Sequence, residues 1–203
     1  MQKILIHGLG QVSSDWEDVK KHLPISEKIN CPNLYAMIPD KKMTYDNLYQ
    51  GFSAHCNAFD SPLHLCGISL GAVLALHYAI ENPERIHSLL LIAPQFKMPK
   101  YLLTIQSILF RLMPKKCFKG MPISKQEIIN LTNTMRHLDF SREIKHITCS
   151  VLIVCGTHDK ANKKAAIQLY GEILHSELYF VENAGHEINK ESPEYLADLI
   201  KNI

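Results

Sequence analysis

Short, continuous apolar runs recur along this chain, each closed by glycine, proline or a polar turn. Ile4-Leu5-Ile6 ends in His7-Gly8-Leu9-Gly10, and Val151-Leu152-Ile153-Val154-Cys155 ends in Gly156-Thr157-His158-Asp159. Residues 86–92 are almost wholly apolar and end in Ala93-Pro94. Runs of this length without strict alternation predict strands covered on both faces, as in a parallel sheet. Further strands are expected at 33–38, 63–66 and 178–181, which makes about six.

Between these runs the apolar period lengthens to three and four. Leu48, Phe52, Cys56 and Phe59 follow Thr44 at helical spacing. Ser14 is placed to cap a helix through Trp16, Val19 and Leu23, with Asp15, Glu17 and Asp18 in its first turn and Pro24 stopping it. Other helices are expected from 70 to about 80, from 162 to 174, and from near Pro193 to the end. Strands alternating with helices imply an α/β fold: a three-layer α/β/α sandwich around a parallel sheet. The alternation breaks only between about 95 and 145. One apolar helical segment there spans 101–112 between Pro99 and Pro114, and a second opens on the capping-box pattern Ser124-Lys125-Gln126-Glu127. A single domain, 1–203, with a helical cap insertion at about 95–145 is the expected organisation.

Composition narrows the function. The chain has 22 Lys and Arg against 20 Asp and Glu, a formal net charge of +2, and the basic residues read as scattered. That gives no field directed at nucleic acid. Six cysteines at irregular spacing form no C-x-x-C or paired Cys/His pattern, so no metal site is expected and a reducing, cytoplasmic setting is. No apolar run approaches the roughly 18 residues of a membrane span, and the amino-terminal run is too short for a signal peptide. No membrane partner is expected. Neither G-x-G-x-x-G nor a P-loop is present, and no cofactor is expected.

The chemistry centres on residues 63–76. The apolar run Leu63-His64-Leu65-Cys66 enters Gly67-Ile68-Ser69-Leu70-Gly71, and a helix-forming apolar run leaves it. A strand–Gly-x-Ser-x-Gly–helix arrangement forces a turn so tight that the central serine is strained and projects above the sheet. In an open parallel sheet, ligands bind beyond the carboxyl ends of the strands. Those ends here carry His7-Gly8-Leu9-Gly10, Ser69, Asp159 and His186. Asp159 has a bland alternative as a helix cap, with Glu182 and Asp60 as reserve carboxylates. His7 reads as a structural brace for its loop, and His158 as a loop or pocket-lining residue rather than a second base.

The order Ser69, Asp159, His186 resembles the catalytic triad of α/β-hydrolases. His7-Gly8-Leu9-Gly10 is similar to that family's oxyanion loop, Gly67–Gly71 to its nucleophile elbow, and Ala184-Gly185-His186 to its terminal Gly-His. The resemblance implies Ser69 as nucleophile, His186 as base, Asp159 as the acid that orients it, and Leu9 and Leu70 N–H groups as the oxyanion hole. It implies a minimal, six-stranded member whose segment 95–145 is the cap. The leucine-, isoleucine- and phenylalanine-rich cap suggests a water-excluding lid over a partly apolar pocket, although core packing alone accounts for most of those residues. Trp16, Met98, Tyr101, Leu102 and Phe110 are candidate lining residues. A small-molecule ester is the expected substrate of such a carboxylesterase. A thioester substrate, or a non-catalytic binding protein on the same fold, is the alternative.

Overall fold

The computed structural model describes residues 1–39, 41–60 and 62–203, with the side chain of Leu102 outside the described set. Six strands form one sheet: β1 Gln2–Ile6, β2 Ile29–Asn30, β3 Leu63–Ile68, β4 Ile86–Ile92, β5 Ser150–Gly156 and β6 Ser176–Val181. Their order across the sheet is β2-β1-β3-β4-β5-β6, and every pairing is parallel.

Side chains along each strand divide between two apolar layers, because successive residues point to opposite faces. Ile4, Ile6, Leu65, Leu89, Leu91 and Ile153 join a core covered by α2 Tyr45–Asn57, α3 Leu70–Glu81 and α6 Lys163–Glu172. Leu5, Cys66, Ile68, Leu90, Ile92 and Val154 join a second core under α1 Glu17–Lys21, α7 Ile188–Glu191 and α8 Pro193–Lys201. This is a three-layer α/β/α sandwich. Between β4 and β5 lie α4 Lys100–Leu112 and α5 Lys125–Met135, the two helices expected of the cap.

One strand is misplaced by the sequence pattern. Residues 33–38 contain a 3-10 turn, Leu34–Met37, and the strand is instead the two-residue edge β2. The Asn33 side chain accepts the Tyr35 N–H at 3.2 Å, a local bond that competes with a strand ladder. A two-residue edge strand has no periodicity to detect. Likewise Ser14 caps nothing; Asp15 accepts the Val12 N–H at 2.6 Å and a 3-10 turn, Ser13–Trp16, precedes the short α1.

Registers place the carboxyl ends of the strands together: Ile6 pairs with Gly67, Ile68 with Ile92, Ile92 with Val154, and Gly156 with Val181. The chain leaves β1, β3, β5 and β6 at one edge, carrying with it the glycine loop, Ser69, Asp159 and His186. Close backbone crossings hold that edge. A Cβ on Gly67 would overlap the Gly71 carbonyl, and one on Gly71 would overlap the Ile6 carbonyl. Gly71→Ala should therefore lower stability by about 3 kcal/mol or more. Gly171→Ala, in α6 with nothing near the added methyl, should be neutral or stabilising by up to about 1 kcal/mol. Urea unfolding followed by circular dichroism checks both; equal stability of the two variants would refute the crossing argument.

Candidate active site

Ser69 sits between β3 and α3 with φ 55° and ψ −113°, a left-handed backbone that a non-glycine residue adopts only when its surroundings enforce it. They do so here through the bare Gly67 and Gly71 crossings and two hydrogen bonds. Ser69 N–H donates to Ile92 O at 2.9 Å, and Val73 N–H donates to Ser69 O at 3.1 Å. Leu70 opens α3, so its N–H is among the first-turn donors that lack a partner within the helix.

The loop after β1 packs against this turn, with Gly8 so close that an added Cβ would lie 3.5 Å from Ser69 Cβ. His7 is fully buried; its Nδ1 donates to Gly8 O at 2.9 Å, while Nε2 accepts Leu34 N–H at 3.1 Å. One donor and one acceptor require the neutral ring, and burial pushes the His7 pKa down in agreement. His7 is thus the brace the sequence suggested. Gln11 extends the bracing: Gly8 N–H donates to its Oε1 at 3.1 Å, and its Nε2 donates to Glu187 at 2.8 Å and Asn189 at 3.2 Å. The glycine loop and the loop carrying His186 are thereby joined through one buried amide.

Asp159 is buried, 6% exposed, and its two carboxylate oxygens divide two tasks. Oδ1 accepts the Asn162 N–H at 3.2 Å, and Oδ2 accepts His186 Nδ1–H at 2.8 Å. Asp159 therefore orients His186 and holds the turn ahead of α6 rather than capping that helix, whose N-cap is Asn162. Asn162 Nδ2 donates to both oxygens, at 3.0 and 2.8 Å, and its own Oδ1 accepts from Gln95 Nε2 at 2.8 Å. The sequence reading gave Asn162 only a helix start. Its signal was the Asp-x-x-Asn spacing, which sets an amide one turn beyond a carboxylate.

Leu9, Ser69, Leu70, Met98, Asn162 and His186 border one cavity of about 290 Å³, with Val73, Leu103 and Met135 adding apolar wall. No hydrogen bond joins Ser69 to His186 directly; the two share the cavity. Among the described residues no cluster of His, Cys, Asp or Glu could hold a metal ion.

The family model described as alpha/beta hydrolase matches residues 4–199. The chain belongs to that family. Solved structures of low sequence identity share its fold. An esterase from Thermogutta terrifontis superposes with a TM-score of 0.81 at 16% identity, covering 100% of this chain and 88% of that one. The enol-lactonase from Burkholderia xenovorans LB400 gives 0.83 at 15% identity over 99% of this chain and 90% of that one. MenH from S. aureus gives 0.82 at 16% identity over 99% and 92%. No curated protein matches the chain by sequence.

In this alpha/beta hydrolase, Met98 lines the cavity as expected, and three other candidates do not. Trp16 is fully buried in the second core with Leu5 and Val19, where its indole N–H has no partner among the described residues. Tyr101 is 87% exposed on α4. Phe110 packs edge-on against Phe118, ring centroids 5.7 Å apart. The side chain of Leu102 lies outside the described residues. Asp60 lies ahead of β3, at the opposite edge of the sheet, and Glu182 is exposed in the turn after β6.

The hydrogen bond that His186 donates to Asp159 raises the His186 pKa above the ordinary imidazole value, against the smaller effect of burial. Burial pushes the Asp159 carboxyl up, but the bonds from His186 and Asn162 outweigh it and leave the group below its usual range. The His186 contribution to stability is therefore complete below the ordinary imidazole pKa and is lost as pH rises through the raised value. That of Asp159 is present above the ordinary carboxylate range and is lost as pH falls through the depressed value. An NMR titration should find His186 above the ordinary value in the native protein and lowered in Asp159→Asn. An unchanged midpoint in that variant would contradict the pairing.

Proposed function

We propose that this alpha/beta hydrolase is a serine hydrolase that cleaves a carboxylic ester through an acyl-enzyme intermediate. One observation carries the reading. A strained elbow serine shares a cavity with a histidine whose Nδ1 is tied to a buried carboxylate.

A serine hydroxyl is a poor nucleophile at neutral pH, so its proton must leave as it attacks. Ser69 Oγ forms a bond to the substrate carbonyl carbon while His186 Nε2 takes the hydroxyl proton. Asp159, accepting only, holds the proton of the ring on Nδ1 and stabilises the imidazolium that forms. Negative charge on the carbonyl oxygen is met by the N–H groups of Leu9 and Leu70, fixed in place before the reaction begins. The tetrahedral intermediate then breaks its bond to the alcohol oxygen, and His186 returns the proton to that leaving group. Water repeats the two steps on the acyl-enzyme, releasing the acid and restoring Ser69. The chemistry needs no cofactor.

An apolar cavity near the small end of ligand-pocket sizes suits a compact acyl group. The named activities of two structural neighbours, an esterase and an enol-lactonase, are in keeping with ester chemistry.

A fluorophosphonate probe should label the native protein and leave Ser69→Ala unlabelled. Absence of labelling in folded native protein, or labelling that persists in Ser69→Ala, refutes the assignment. Asp159→Asn should keep the fold and lose about 10⁴-fold in ester turnover. Full activity there would move the acid elsewhere.

A p-nitrophenyl ester series beside an acyl-CoA panel tests reaction class and pocket depth together. Ester turnover should be highest for short acyl chains and fall for long ones that the cavity cannot enclose. Higher kcat/KM on the thioesters would reassign the enzyme as a thioesterase.

A further inference from the structure

Helix α4 contributes Leu103 and Gln106 to the cavity wall, and its inner side is tied to α5 where Ser107 donates to Asn133 at 2.8 Å. Its opposite side is apolar and open to solvent. Tyr101, Ile105, Ile108, Leu109 and Leu112 are 87, 53, 50, 53 and 78% exposed. At about 3.6 residues per turn they fall within an arc of roughly 100°. The sequence reading gave these residues to a lid or to core packing, and neither describes them.

Charge is gathered at the same place. Residues 97–126 hold seven of the chain's 22 Lys and Arg and none of its 20 Asp and Glu, leaving 15 basic against 20 acidic residues elsewhere. The other 15 basic residues are scattered, but this stretch is free of acidic ones. Lys100, Arg111, Lys115, Lys116 and Lys119 are exposed and form no ion pair among the described residues. Lys97 pairs with Asp139 at 3.0 Å, and Lys125 caps the end of α4 by donating to Arg111 O and Met113 O.

We propose that this face docks on an anionic lipid surface, with α4 lying in the interface. An amphipathic helix with an aliphatic and aromatic stripe and basic flanks matches such a surface in both respects: apolar side chains enter the acyl boundary while cations meet the headgroups. At 13 residues α4 lies along a bilayer; no helix among the described residues is long and apolar enough to cross one. A second copy of the chain fits less well, because a two-fold contact would set the cations of one copy against those of the other. Nucleic acid would leave the aliphatic stripe without a partner. Docking goes beyond the hydrolase reading and is measured without turnover.

The experiment is co-sedimentation of the full chain with vesicles of mixed phosphatidylglycerol and phosphatidylcholine, against phosphatidylcholine alone. Binding is expected to the anionic vesicles, at least about tenfold stronger than to the neutral ones and released by salt. Ile108→Gln with Leu112→Gln, and separately Lys115→Glu with Lys116→Glu, should each weaken it by about tenfold or more at unchanged thermal stability and unchanged turnover of a soluble ester. No binding by folded protein overturns the proposal, as does equal binding to both vesicle types. Sedimentation velocity showing a dimer that the Ile108/Leu112 variant abolishes would overturn it in favour of contact between copies.

Discussion

The site depends on how closely three stretches of backbone are allowed to cross at the carboxyl edge of the sheet. Ser69 is held at a positive φ because β3, the start of α3 and the end of β1 approach without a side chain between them at Gly67 and Gly71. A strained residue of this kind costs of order 1–3 kcal/mol, offset here by the cores on both faces of the sheet. The same crossing brings Gly8 against Ser69 and so puts the glycine loop beside the opening turn of α3. The strained serine and the glycine loop beside it therefore share one structural cause.

The second constraint is electrostatic. Asp159 is buried, and a buried carboxylate is costly unless its oxygens are hydrogen-bonded. Asn162 and His186 supply those bonds, and Gln95, which follows β4 on the way to the cap, steadies Asn162 in turn. The polar chain thus runs from Gln95, just after β4, through Asn162 and Asp159 to His186. On the other flank, Gln11 joins Gly8 to Glu187, the neighbour of His186. Neutral amides thus hold the carboxylate partner of His186 on one flank and the loop that carries His186 on the other.

What was legible in the sequence follows from this. Continuous apolar runs marked β1, β3, β4 and β5, because strands buried on both faces leave a strong compositional trace. A half-buried edge strand, β6 showed only through its apolar end Leu178–Val181. The elbow was legible because its glycines are dictated by backbone contact rather than by packing preference. Edge strand β2 was not, since two residues carry no period. Trp16 and Phe110 were misassigned because an aromatic side chain has the same composition whether it fills a core or lines a pocket. Which of these it does is decided by the partners, Leu5 and Val19 for one and Phe118 for the other. Asn162 escaped notice because a neutral amide at a helix start is common, and only the position of Asp159 beside it gives it consequence.

Charge shows the same dependence on three-dimensional placement. A net charge of +2 suggests a bland surface, yet it is the sum of residues 97–126, with seven cations and no anions, and a remainder with five more acidic than basic residues. Cations gathered in one stretch and a small acidic excess elsewhere give the molecule a charge asymmetry. Near a negative surface a dipole orients before contact, within roughly the 8–10 Å over which salt leaves the field unscreened. The acidic remainder is repelled, and the cap leads. Orientation and apolar insertion then favour the same pose, with α4 against the surface and its inner residues Leu103 and Gln106 still lining the cavity. A charge distribution that sums almost to zero can fix a single approach to a planar partner, where the same net charge spread evenly could not.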